Sequence, residues 1–210
     1  MYVIAGAFHW IGYHMIDYLL ARGEEVIGID TLDSNKKDHL LMSVGRNANF
    51  SFYEDIKEIP TKKMSYTQTN LILIDHTIRL YDYLLDNMEC YSIHTTPPIS
   101  TKSEAITYIQ VPMLYGNWMS RNDNGLFWNK EIIPFYSQLF RSEAIFVDDF
   151  VHVLMQIIKS GLKPAVIQIQ RANKKRASKD RSIIYIVKNR EREEELEQLD
   201  DHFRQNRELY

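Results

Sequence analysis

Tyr2-Val3-Ile4-Ala5-Gly6-Ala7-Phe8-His9-Trp10-Ile11-Gly12 is a short apolar run followed at once by a glycine-bounded turn. Tyr2 to Ala5 predict a strand and Gly6 opens the turn. Ile11, Met15, Tyr18 and Leu19 then recur at helical spacing. Arg22-Gly23 supplies the glycine expected just past a helix C-terminus. Val26 to Ile29 predict a second strand that ends at Asp30. Strand, helix and strand within about thirty residues imply a right-handed parallel crossover.

The alternation continues outward from this segment. Phe50 to Tyr53 and Leu71 to Ile74 predict a third and a fourth strand. A helix over Ile78 to Leu85 leads to a fifth strand around Tyr91 to Ile93, and Ile106 to Val111 read as a sixth. Ala144 to Val147 predict a short later strand. Phe150, Val153, Leu154, Ile157 and Ile158 then make an amphipathic helix, capped ahead by Asp148 or Asp149. Gly161 ends it, and Val166 to Ile169 return as a strand. Alternating helices and mostly apolar strands indicate an α/β, Rossmann-like, doubly wound and mostly parallel sheet.

After Gln170 the composition changes. Arg171, Lys174, Lys175, Arg176, Lys179 and Arg181 mark an exposed basic linker, and Ile183 to Val187 predict an edge strand. From Asn189 the chain reads as a charged helix with Leu196, Leu199 and Phe203 as its apolar stripe. The expected organisation is a Rossmann-like domain over residues 1–170, then a reduced C-terminal region over 171–210.

Bulk properties limit the function classes. With 45% hydrophobic and 12% aromatic residues the chain buries a sizeable core. A net charge of −3 gives no global field toward nucleic acid or anionic membranes, so nucleic acid is not an expected partner. The first residues lack the basic region and cleavage site of a signal peptide. No apolar run approaches the roughly 18 residues of a membrane span. The lone Cys90 excludes an internal disulfide and fits a reducing compartment, so a cytoplasmic location is expected.

The Gly6–Gly12 segment sits where a phosphate-binding turn belongs, with a helix N-terminus able to face a pyrophosphate. Asp30 closes the second strand, where a carboxylate can accept from an adenosine ribose. Gly6, Gly12, His14, Arg22-Gly23 and Asp30 together resemble the opening of the extended short-chain dehydrogenase/reductases, the NAD-dependent epimerase/dehydratase family. Asp55-Ile56 resembles that family's pair near the adenine. Val111-Pro112-Met113-Leu114-Tyr115-Gly116 is similar to its R-x-x-N-V-Y-G stretch, and Phe146-Val147-Asp148-Asp149 to its late strand-to-helix junction. The resemblance covers residues 1 to about 170, with gaps. It implies a cofactor site at Gly6, Phe8, His9, Trp10, Ile11, Gly12, Asp30, Asp55 and Ile56, with a dinucleotide or nucleotide-linked small molecule as ligand.

Departures from the family pattern fall at the chemistry. Its middle glycine is His9 here, where the backbone should approach the pyrophosphate. Two readings stand: the imidazole offers a hydrogen bond or charge to a phosphate, or it fills a site that no longer binds. Asp75-His76 replaces small residues after the fourth strand, placing a carboxylate that would repel a phosphate unless paired. Asp30 favours NAD over NADP because a carboxylate repels a 2′-phosphate, while Lys36 and Lys37 read as solvated surface at a helix start.

Family members use a Ser/Thr, a tyrosine and a lysine four residues after it, the lysine helping a phenol of pKa about 10 to act near neutrality. Thr95 and Thr96 are the nearest equivalents of the Ser/Thr, and they read equally well as strand-end turn residues. Only Pro97 to Ala105 separates the fifth and sixth strands, with Lys102 but no tyrosine. Tyr53 and Lys57 have the spacing but follow the third strand, on the adenine side; Tyr115 lies near the expected substrate edge and is a further catalytic candidate, although in the family it belongs to a structural loop. No HExxH, Cys/His metal pattern, G-x-S-x-G or Walker A occurs, so no metal is expected, and Cys90 reads as core. Trp10, Trp118 and Trp128 read as packing.

The expectation is an epimerase/dehydratase-like nucleotide-binding or regulatory module, a pseudoenzyme lacking standard catalysis. One alternative is an active NAD-dependent oxidoreductase or epimerase on a nucleotide-sugar with an atypical site. Another is a scaffold whose residues 189–210 recruit a protein partner or a second copy through the apolar stripe. The plainer reading of that tail is a solvated helix laced with i,i+4 ion pairs.

Overall fold

The computed structural model describes residues 1–60, 62–63, 68–74, 88–94, 105–172, 180, 182–187 and 192–210. The chain divides into two compact units. Unit one comprises Met1–Ile109 with Lys163–Ala165, and unit two Gln110–Leu162 with Val166–Tyr210.

Unit one opens with β1 (Tyr2–Ala5), α1 (Trp10–Leu20), β2 (Val26–Ile29), α2 (Asn35–Val44) and β3 (Phe50–Tyr53). It continues through β4 (Thr69–Ile74), β5 (Met88–His94) and β6 (Ile106–Gln110). Spatial order is β3-β2-β1-β4-β5-β6. Pairings of β1 with β2 and β4, of β2 with β3, and of β4 with β5 are parallel. This is the strand order of a Rossmann sheet, with its reversal between β1 and β4. β1 and β2 are buried along their whole length, as strands covered on both faces must be. The expected helix over residues 78–85 lies outside the described residues.

Unit two contains β7 (Leu114–Tyr115), the antiparallel hairpin β8 (Gly125–Trp128) and β9 (Glu131–Pro134), and α3 (Gln138–Glu143). β10 (Ile145–Phe146) pairs parallel with β7 and leads directly into α4 (Val147–Ser160). β11 (Val166–Arg171) pairs parallel with β12 (Ile183–Ile186), and α5 (Arg192–Gln205) follows. The strand expected at Ala144 to Val147 is thus cut to two residues, because Val147 is already the first residue of α4. Asp148 and Asp149 do not cap that helix. They lie inside its first turn, where they favour the positive end of its dipole, and Phe146 holds the cap position without a side-chain bond. Gly161 ends α4 in the left-handed conformation, as expected (φ 68°).

The exposed, ion-laced tail helix is corrected by the packing. Leu196, Leu199 and Phe203 are all buried within unit two, as are Arg192 and Glu195. Glu195 accepts a short hydrogen bond from the Tyr115 hydroxyl. Arg192 donates to the Phe140 and Ala144 carbonyls, both at 3.2 Å. From the body of the unit, the Arg121 guanidinium lies 4.5 Å from the Phe135 ring centroid and 4.4 Å from that of Phe203. It also meets Asp200 at 2.6 Å. An i,i+3 pair, Arg204–Asp201, occupies the outer face at 3.7 Å. Among the described residues no helix is long and apolar enough to cross a membrane.

Two substitutions test this account of α5. Leu199→Ala removes a side chain from a position 1% exposed and should cost about 2–5 kcal/mol in denaturant unfolding. Tyr115→Phe takes the hydroxyl from a buried carboxylate and should cost about 1–3 kcal/mol by the same measurement. A solvated helix would leave both values near zero.

Candidate functional site

The glycine turn of unit one is built from backbone first. Gly6 has φ 83°, a conformation that side chains other than glycine rarely adopt. Its N–H donates to the Ile29 carbonyl at 2.9 Å, and the Ala7 N–H donates to the same oxygen at 3.2 Å. Gly12 lies in α1, where an added Cβ would stand 2.2 Å from the Gly6 carbonyl oxygen. One outer glycine therefore bends the chain, and the other lets the helix close up against the turn.

His9 occupies the position before the helix in extended conformation, with φ −60° and ψ 141°. Its Nδ1 accepts from the Ile11 N–H at 3.4 Å, so the imidazole caps α1. That is the end of the helix at which a phosphate would be received. The Trp10 ring flanks both His9 and His14, with centroids 6.1 and 6.4 Å away. Phe8 and Ile11 are core residues, Phe8 packing on Phe52 at 5.4 Å between centroids.

Asp30 follows β2 and is 9% exposed. Its Oδ2 accepts from the Phe8 N–H at 2.8 Å, tying the turn to the end of β2. Its Oδ1 accepts from the Thr31 N–H at 2.8 Å and from Lys37 Nζ at 2.9 Å. Lys37 also meets Asp33 at 3.1 Å. The reading of Lys36 and Lys37 as solvated surface is corrected here. Burial pulls the Lys37 ammonium down, but its bonds to Asp30 and Asp33 outweigh this and raise its pKa overall, so it stays protonated. Lys36 is half-buried, which pushes it down to about 8. Asp55 is exposed and caps the short 3-10 turn Ile56–Glu58, its Oδ1 accepting from the Lys57 N–H at 3.0 Å. Ile56 is buried. Tyr53 ends β3 and Lys57 lies on that same turn.

Thr95 and Thr96 lie outside the described residues, as do Asp75, His76 and Lys102. Cys90 is buried in β5, which pushes its thiol up to about 12 and keeps it protonated at neutral pH. Among the described residues, no group of three or more His, Cys, Asp or Glu is placed to hold a metal ion.

In unit two, Tyr115 is 1% exposed and packed against Phe140 and Phe146. Burial, reinforced by the Glu195 carboxylate, pushes its phenol well above the ordinary range. A proton held so firmly is poorly suited to exchange near neutrality. The same unit carries an open cleft of about 270 Å³ lined in part by Gln110, Trp128, Glu143, Gln168, Gln170 and Arg171. Arg171 donates to the Arg141 carbonyl across a short contact, and burial followed by the nearby Arg192 charge lowers its pKa. The sequence reading missed Arg121, Glu195 and the Lys37–Asp30 pair. Only the last carried a local signal, an aspartate followed at seven residues by a lysine near a helix start.

No family model and no curated protein matches the chain. Solved structures do. UDP-glucose 4-epimerase from Thermotoga maritima, determined with UDP-glucose, aligns with a TM-score of 0.54 at 14% identity, covering 98% of this chain and 99% of that one. Pal from Bacillus thuringiensis aligns with a TM-score of 0.50 at 10% identity, covering 81% and 77% of the respective chains. At these identities the likeness speaks for the fold alone: the chain has a Rossmann-like α/β architecture.

Proposed function

We propose that this protein binds an adenine dinucleotide of the NAD type at the Gly6–Gly12 turn and acts as an epimerase-like binding or regulatory module, without standard tyrosine–lysine hydride chemistry. The observation that carries the reading is the pairing of Gly6 at φ 83° with Gly12 closed against the Gly6 carbonyl. In a dinucleotide turn such a backbone is what presents the start of the helix to a pyrophosphate. Asp30, at the end of β2, is the acceptor for the adenosine ribose, and Asp55 and Ile56 lie toward the adenine. Phe8, Trp10 and Ile11 support the turn through packing and backbone rather than by side-chain chemistry. His9 turns from the Ile11 N–H to donate to a phosphate oxygen when ligand arrives, trading an internal cap for an anionic one.

The absence of hydride chemistry rests on sequence and environment together. No tyrosine occurs in the sequence between β5 and β6, and Tyr115 is buried on Glu195. A second reading, turnover of a nucleotide-sugar, has one observation in its favour. The cleft in unit two is lined by three glutamines, a glutamate and an arginine, groups suited to hydroxyl-rich ligands. The docking role for the tail loses support, because its apolar stripe is buried within its own unit.

Calorimetric titration of the full chain with NAD tests the proposal. Micromolar binding is expected, weakened roughly tenfold or more by Asp30→Asn, which keeps the shape but loses the charge. Gly12→Ala should abolish binding and lower stability, since its Cβ meets a carbonyl at 2.2 Å. Absence of NAD binding to the unsubstituted protein would reject the proposal. Hydride transfer to bound NAD from UDP-glucose or UDP-galactose would favour the second reading.

A further inference from the structure

Unit two holds polar chemistry that the glycine turn does not use. Its open cleft of about 270 Å³ takes Gln110 from the end of β6, Trp128 from the end of β8 and Glu143 from the end of α3. The last residues of β11 add Gln168, Gln170 and Arg171. Gln168 and Gln170, two apart on one strand face, share a 3.4 Å hydrogen bond in which the Gln170 amide donates. That bond uses one donor and one acceptor of two amides that carry several more. The charged lining consists of one cation, Arg171, and one anion, Glu143. Arg171 spends a donor on the Arg141 carbonyl and not on that carboxylate. Burial and then the Arg192 charge lower its pKa, against the opposing fields of Glu143 and Glu195. The balance is that of a guanidinium short of anionic partners.

From this lining we infer that the cleft is a recognition site for a small zwitterion, an α-amino acid with an amide side chain; the site stands independently of the dinucleotide turn. The ligand carboxylate accepts from guanidinium donors that Arg171 does not spend on Arg141. The ammonium donates to Glu143, and the Trp128 ring face offers the cation a second favourable surface. The side-chain amide pairs donor to acceptor with the glutamines, as two of them already pair with each other. Two ligand charges of opposite sign thus meet two protein charges of opposite sign. A nucleoside diphosphate fits this lining badly, because its phosphates would share a single cation and face a carboxylate. A neutral sugar would satisfy the amides but bring no charge to either Arg171 or Glu143. The volume also suits a ligand below drug size.

Calorimetric titration of the full chain with L-glutamine, with no dinucleotide present, tests the assignment. Binding at a single site with a Kd below about 1 mM is expected. N-acetyl-L-glutamine lacks the ammonium and L-glutamine methyl ester lacks the carboxylate, so each should lose roughly tenfold or more in affinity. Glu143→Gln should cost L-glutamine a similar factor while the denaturant midpoint holds, which separates lost recognition from lost folding. The two ligand analogues test the same contacts on the unsubstituted protein. Absence of saturable binding up to about 10 mM L-glutamine would overturn the assignment. So would an analogue that binds as tightly as the free amino acid, or an affinity unmoved in Glu143→Gln. Tighter binding of D-glucose or UDP-glucose at this cleft would overturn it in favour of a sugar ligand. Each of these results is read separately from NAD binding at the Gly6–Gly12 turn.

Discussion

Asp30 carries a charge at a position nine-tenths removed from water, which is costly unless donors replace the lost solvent. Three do so: the Phe8 and Thr31 amides and the Lys37 ammonium. Through the Phe8 bond the carboxylate also fixes the middle of the glycine turn to the end of β2. The turn is further held by the Ile29 carbonyl, which accepts from both Gly6 and Ala7. One acidic side chain thus ties together the turn, the end of β2 and the first turn of α2. The proposed ligand would exchange one of these three donors and leave the two fixed amides in place.

Unit two follows the same rule with different residues. Its tail helix carries few apolar positions, and those few are buried beside ions that each have a partner. Tyr115 serves Glu195, two backbone carbonyls receive Arg192, and two aromatic faces and Asp200 enclose Arg121. Removing one member of such a set leaves the others buried without their partner, so each is worth more to the fold than its exposed counterpart would be. Tyr115, a catalytic candidate on sequence alone, acts here as a clamp on that helix.

Much of the fold was legible because it rests on local pattern. The all-apolar runs at Tyr2–Ala5 and Val26–Ile29 can only be strands covered on both faces, and Gly6 and Gly23 mark the turns between elements. Gly161 likewise stops α4 where a left-handed residue is required. What was not legible depends on partners far away in sequence. The tail reads as a solvated helix because 78 residues separate Arg121 from Leu199, and 80 separate Tyr115 from Glu195. Asp148 and Asp149 look like caps in sequence, yet apolar spacing starts the helix one residue earlier, at Val147. His9 looked like an intruder in a phosphate turn. It fits because its ring takes the helix N–H that a phosphate oxygen would otherwise take.

The central claim is that the Gly6–Gly12 turn and Asp30 form one ligand seat. The most direct measurement is an NMR titration of the nitrogen-15-labelled chain with NAD, following the backbone amides of Gly6, Phe8, Ile11, Gly12 and Thr31. The account predicts saturable shifts at these amides, with Ile11 moving as His9 leaves it and Thr31 moving as ribose replaces Lys37 on Asp30. Amides of the turn that stay still at saturating NAD, or shifts confined to residues elsewhere, would contradict it.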